Sequence, residues 1–372
     1  MLAQVSSKAD ILILTAGFGE GHNSAALNLR LALESQAATL CLDPCALGCP
    51  FVNDRLRGLY REITTHAPWL WRKIYESTER QDFSKERVMF MQKPEAKLRE
   101  LVLEHRPKAI VSTYPLYPYF LERIFNSGVP RVPVFTVVTD SIEINAAWRK
   151  APTDYWLVTD SKTRESLLRQ GLPEAKVIET GFPVPPHFSD LVPVSADDTL
   201  DPFRILYFPT PKNPHVRRVS RELLDATGEN VELTIVLGRN FRKLYQRARE
   251  IKESYPGRVR IKGWTRQVPE LIHSHHLVVG KAGGATVHEA LAAACPMLIH
   301  HLVPGQEEGN LALMRSLNGG YLADSPGALA GYLRELLADD ASAWRAMKRS
   351  LSQQARPNAA KTAAHFILQH SS

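Results

Sequence analysis

The sequence predicts an α/β protein of two doubly wound, Rossmann-like domains facing each other across a cleft. Three observations predict it. Short apolar runs of β-branched character alternate with stretches of helical periodicity along most of the chain. The alternation stops once, among prolines and acids, and then restarts. In each half a glycine cluster follows a strand and opens a helix, as GFGEGH from Gly17 and as KAGGAT from Lys281. At 372 residues the chain also exceeds what one ordinary core organises.

The first strand is Ile11 to Thr15 (ILILT), an apolar run suited to a strand buried on both faces. The glycines follow, and Ser24 to Glu34 then shows helical spacing of Ala and Leu. Ala109–Ser112, Val134–Val138 and Trp156–Val158 are the next strands. Between the first strand and these, Asp54 to Glu104 is helical, basic and aromatic, with Trp69 and Trp71 beside Arg72 and Lys73. Two readings fit this stretch: a helix pair packing its aromatics inward, or aromatics edged by cations at a membrane interface. Pro183 to Pro202 carries no period, which places a linker at 186–202 between an N-terminal domain (1–185) and a C-terminal one (203–354). Arg204–Phe208, Glu232–Leu237, Val259–Ile261, Leu277–Gly280 and Met297–His300 are the second set of strands, and 355–372 forms a terminal helix.

The net charge of +7 favours anionic partners, so nucleic acid, an anionic membrane and a phosphorylated substrate all stay open. No apolar run approaches the ~20 residues of a membrane span. The first ten residues lack the apolar core of a signal peptide. Cys41, Cys45 and Cys49 have neither metal-ligand spacing nor a nearby histidine, so unpaired thiols in a cytoplasmic protein are expected.

The chemistry concentrates in KAGGATVHEA. Gly283 and Gly284 form a turn, and a helix begins near Thr286, whose free amides and dipole suit a phosphate or diphosphate. Glu289, placed in the first helical turn, suits the vicinal hydroxyls of a ribose; alternatively it merely complements the dipole. After the next strand comes VPGQEEGN, where Gln306 and Glu307 offer an amide and a carboxylate to a hydroxyl-rich ligand, or simply cap a helix.

These stretches resemble the GT28-type glycosyltransferases of GT-B fold, in the branch of the monogalactosyldiacylglycerol synthases and processive diacylglycerol glucosyltransferases. ILILTAGFGEGH, PWLWRKIYEST, AIVSTYPL, VVTD, IVLGRN, IKGWT, KAGGATVHEA and PGQEEGN carry the resemblance, which runs over nearly the whole chain. It implies transfer of galactose or glucose from a UDP-sugar to a lipid such as diacylglycerol, with inversion. It also implies no cofactor and no metal, and a peripheral seat on an anionic membrane; no nucleic-acid partner is expected, since only the net charge speaks for one. Under it, Gly283, Gly284, Ala285 and Thr286 cradle the diphosphate, Glu289 binds the ribose, and Gln306 and Glu307 bind the sugar. The uracil lies near Trp264, Thr265 and Val268, with Arg239 and Lys281 as extra positive charge. His22 is the general base, kept neutral by a helix N-terminus, and Asp140 orients it or meets the acceptor. Gly19 and Gly21 leave room for the acceptor hydroxyl. Trp69, Trp71, Arg72 and Lys73 fall in the membrane-facing region.

The chain departs from the family twice. Asn145 stands where galactolipid synthases carry a histidine, and it cannot shuttle a proton. The loop after the first C-terminal strand, FPTPKNP, has prolines where the family has glycines, with Lys212 as a substitute charge. The alternatives are a same-fold transferase for a polyprenyl lipid or a soluble alcohol, a non-catalytic UDP-sugar binder, and a UDP-sugar epimerase or hydrolase.

Overall fold

A computed structural model of the chain describes residues 8–81, 83–84, 91–211, 213–226 and 228–371. The chain divides into two compact units, Met1–Pro186 with Asn358–Ser372, and His187–Pro357.

The first unit runs β1 (Ile11–Leu14), α1 (Glu20–Leu33), β2 (Thr39–Leu42), α2 (Pro44–Gly48), α3 (Pro50–His66), α4 (Pro68–Arg80) and α5 (Gln92–His105). It continues through β3 (Ala109–Ser112), α6 (Tyr117–Asn126), β4 (Val134–Val137), α7 (Ala146–Arg149), β5 (Tyr155–Val158), α8 (Ser161–Arg169) and β6 (Val177–Glu179). The strands form one parallel sheet in the order β2-β1-β3-β4-β5-β6. All four β1 side chains are buried, each worth ~1.5–3 kcal/mol as an upper bound. Helix starts follow local chemistry. Asp43 accepts from Ala46 N at 2.9 Å to cap α2, Asp160 accepts from Thr163 N at 2.8 Å to cap α8, and Pro50 and Pro68 open α3 and α4.

The second unit runs β7 (Phe203–Tyr207), α9 (Asn213–Asp225), β8 (Val231–Val236), α10 (Phe241–Ser254), β9 (Val259–Lys262), α11 (Val268–Ser274) and β10 (Leu277–Lys281). Then come α12 (Gly284–Ala292), β11 (Met297–His301), α13 (Glu308–Ser316), β12 (Gly320–Leu322) and α14 (Ala328–Gln354), the last broken at Ala338–Ala341. Its parallel sheet has the order β12-β11-β10-β7-β8-β9. The segment expected as linker contains a short 3-10 turn, Pro186–Asp190, and Val194 joins the apolar core of this unit. The chain then returns to the first unit as α15 (Ala359–Gln369), which packs on α1 and sets Phe366 edge-on to Tyr155 at 5.1 Å.

Strand order reverses between β1 and β3 in the first unit and between β7 and β10 in the second. In open parallel sheets such reversals part the loops at the carboxyl ends of the strands and open a crevice for ligands.

Candidate active site

In the first unit the reversal point is occupied by the GFGEGH loop. Three neighbours pin that loop. Gly17 N donates to Asp43 Oδ2 at 3.2 Å, Tyr117 OH donates to Thr15 O at 3.1 Å, and Arg57 Nε donates to Gly17 O at 3.0 Å. A Cβ on Gly17 would lie 2.4 Å from Arg57 Nε, so a side chain there would displace the guanidinium that pins the loop. Gly19 caps α1 at φ +127, a conformation only glycine adopts freely. Gly21 faces open space.

His22 is consequently the third residue of α1, not a residue ahead of it. It is 8% exposed. Its backbone carbonyl accepts from Thr113 Oγ1 at 3.1 Å, at the end of β3. Its ring lies 5.5 Å from Tyr114 and 5.8 Å from Trp148, and Nδ1 is hydrogen-bonded to Thr139 Oγ1 at 3.0 Å. Burial pushes the imidazole down to about 4, so it is neutral at pH 7. The neutral state expected from the helix terminus is thus secured mainly by the apolar wall around the ring. Asp140 accepts from Trp148 Nε1 at 2.9 Å, and so braces the ring that flanks His22. The residue on Nδ1 is its neighbour Thr139, which sequence reasoning passed over although it lies in the same VVTD motif. Two residues after Asp140, Ile142 holds φ +56, a strained conformation for a β-branched residue and of the kind that collects at functional sites.

Asn145 has a different job. Its Oδ1 caps α7 by accepting from Ala147 N at 2.9 Å, and its Nδ2 donates to Thr78 Oγ1 of α4 at 2.9 Å. The amide is buried and committed to tying α7 to α4.

The aromatic segment divides. Trp71 is half-buried and packs edge-on against Tyr60 at 4.8 Å. Trp69 is 63% exposed with Lys73 Nζ 5.5 Å from its ring, and Arg72 is exposed beside it. The same i, i+4 pairing recurs on α3, where Arg55 covers an exposed Phe51 at 4.5 Å. That second pair was legible in PFVNDR but was not singled out.

In the second unit, α12 starts at Gly284 with Gly283 as its cap, two residues earlier than the sequence suggests. Ala285 and Thr286 therefore belong to the first turn, and Glu289 does not: it is the sixth helical residue, too far along to complement the terminal dipole. Its carboxyl is pushed up to about 7 by burial. Glu307 is buried; Oε1 accepts from Lys281 Nζ at 2.5 Å and Oε2 from Val303 N at 3.0 Å. Lys281 so bent lies over Gly283, its Cε 3.1 Å from where a Cβ would stand, so a side chain there would push the lysine aside. Gln306 is half-buried in the same loop.

Trp264 is 59% exposed after β9 with Arg266 5.7 Å from its ring, Thr265 Oγ1 accepts from Gln267 N at 3.0 Å, and Val268 opens α11. Arg239 is exposed in a 3-10 turn after β8. β9 lies three strand positions from β10, about 14 Å, a span that an extended nucleoside diphosphate bridges. Lys212 lies outside the described residues.

Two doubly wound sheets, each with its polar groups at the strand-order reversal, define the GT-B class. The crystal structure of Acinetobacter baumannii MurG matches this chain at a TM-score of 0.63, covering 96% of it and 99% of that chain at 15% identity. Residues 22–184 match the family model for monogalactosyldiacylglycerol (MGDG) synthase. The processive diacylglycerol beta-glucosyltransferase of Bacillus licheniformis is 24% identical over 90% of this chain and 88% of its own length. Its Bacillus subtilis counterpart is 24% identical over 97% and 95%. The chain is thus similar to the MGDG synthase family over residues 22–184, and to the processive diacylglycerol beta-glucosyltransferases over most of its length.

Proposed function

We propose that the protein is an inverting glycosyltransferase that moves a hexose, galactose or glucose, from a UDP-sugar to a lipid acceptor, diacylglycerol. The observation that carries the reading is His22: a neutral imidazole, held at Nδ1 by Thr139, at the reversal point of a sheet within the stretch matched to MGDG synthase. With Nδ1–H donating to Thr139, Nε2 is the basic atom. It takes the proton of the acceptor hydroxyl as the oxygen bonds to the anomeric carbon from the face opposite the leaving group. The bond from that carbon to UDP breaks, and the electron pair leaves on the diphosphate. A base of such low basicity acts while the new bond forms rather than beforehand.

In the second unit the amides of Gly284, Ala285 and Thr286 receive the diphosphate charge, so the proposal needs no metal and no cofactor. Glu289 takes the ribose hydroxyls, Gln306 and Glu307 the sugar, and Trp264, Thr265 and Val268 the uracil, with Arg239 and Lys281 adding positive charge. Gly21 leaves the acceptor hydroxyl room. The exposed Trp69–Lys73 and Phe51–Arg55 pairs, with Arg72, seat the enzyme on an anionic bilayer as a peripheral protein, each basic residue adding ~1 kcal/mol near the surface. Among the described residues no helix is long and apolar enough to cross a membrane.

The test is incubation of the purified protein with mixed UDP-hexoses and diacylglycerol in anionic liposomes, followed by mass spectrometry. A hexosyl-diacylglycerol is the expected product, and omitting each donor in turn names the sugar. Measurable UDP binding without any product would move the function to another acceptor or to a silent binder.

A further inference from the structure

The second unit holds a cluster of histidines that none of these roles uses. In the pairing of β10 with β11, Gly280 lies opposite Ile299 and Lys281 opposite His301, so His300 is an extra residue on β11. Regular alternation would send His300 and His301 to opposite faces of the sheet. The bulge aims both at α9 instead: His215 of that helix lies 5.8 Å from the His300 ring and 5.9 Å from the His301 ring. Bulges that re-aim side chains gather next to functional sites.

The cluster stands at the reversal point itself. α9 follows β7 and α12 follows β10, and those two strands flank the reversal, so both helices start on this edge. His301 pairs with Lys281, two residues before the Gly283 cap, and Ala282 N donates to His301 O at 3.4 Å. Thr210 Oγ1 is hydrogen-bonded to His215 Nδ1 at 3.0 Å, which fixes the ring from the FPTPKNP loop. His300 is 1% exposed, with the Tyr207 ring 5.4 Å away, so it stands behind the other two as a buried wall. The arrangement is not a metal centre: among the described residues no group of three His, Cys, Asp or Glu side chains could hold an ion.

We propose that His215 and His301, backed by His300, form the seat of the donor diphosphate opposite the start of α12, supplying N–H donors in place of the loop amides that Pro209 and Pro211 remove. The inference rests on the UDP-sugar reading of this unit. Imidazole suits the task because each ring offers a directed N–H to a phosphate oxygen, and charge-assisted bonds of this kind are the strong ones.

Calorimetry with two probes, UDP and uridine, tests it at one fixed pH. His215→Ala and His301→Ala are expected to weaken UDP about tenfold or more, the worth of a hydrogen bond to a charged group. Uridine affinity stays unchanged, which also shows that the variants fold. His215→Asn keeps an N–H donor and recovers part of the loss. Native UDP affinity in both alanine variants overturns the proposal, as does an equal loss of uridine. Glu289→Ala separates the two readings. If it weakens uridine while the histidine variants bind UDP normally, the seat alone is wrong. If the unaltered protein binds neither probe, the donor reading falls with it.

Discussion

The buried state of His22 makes a quantitative prediction about the pH dependence of transfer. An exposed histidine titrates near 6.5, whereas burial holds this one at about 4. At pH 5 an imidazole of pKa 4 is ~90% unprotonated, and one of pKa 6.5 only ~3%. The two cases therefore differ roughly 30-fold in the rate at pH 5 relative to pH 8. The assay is the initial rate of UDP release from the donor, with diacylglycerol in liposomes, between pH 5 and 8. Near-ultraviolet circular dichroism at each pH confirms an intact fold. Expected is kcat/KM nearly flat down to pH 5, with the acidic limb lying lower. An acidic limb centred near 6.5 in a folded sample would refute the buried base and move proton abstraction to an exposed group. Thr139→Val sharpens the result: with Nδ1 unsupported, kcat should fall with little change in KM, and a variant of native kcat would free His22 from its orienting hydroxyl.

Three further outcomes are expected. Asn145→Ala should lower stability by about 1–2 kcal/mol, through loss of the α7 cap and of the tie to α4, while KM for donor stays unchanged; a large rise in the donor KM with native melting would contradict this. In the second unit His275 is held down to about 4 and His276 and His300 to about 3, all chiefly by burial. The folded form refuses protons that the unfolded chain accepts, so stability is whole above the unfolded value of 6.5 and declines as pH falls below it; a melting temperature that is flat from pH 7 to 5 would disprove it. Trp69→Ala with Phe51→Ala should reduce sedimentation with anionic liposomes and leave UDP affinity intact, and unchanged sedimentation would remove these pairs from the interface.

Most of the fold was legible because its central strands are buried on both faces and spell apolar runs, as in ILILT and AIVS. β2, β6 and β12 were not predicted, and all three are edge strands. β2 is half-buried along its whole length, so its pattern carries little contrast. His22 and the KAGGAT turn were found because glycines and a helix start leave a local signature. The start of α12 was misplaced by two residues since a glycine can cap a helix or begin one, and this pair does both. Thr139, Trp148 and the β11 bulge were beyond reach, because what they touch is set by packing between distant segments. Asn145 was noticed for the histidine it replaces, yet its partner, Thr78, lies 67 residues away.

The return of α15 to the first unit bears on the order in which the molecule is made. Val134–Val137 and Tyr155–Val158 leave the ribosome long before Phe366, the residue whose ring closes over Phe135 and Tyr155. The first unit therefore waits, with an apolar flank uncovered, while the whole of His187–Pro357 is synthesised. During that interval the nascent chain is a client for chaperones. A ribosome stalled between the two units would display an incomplete first unit rather than a finished one.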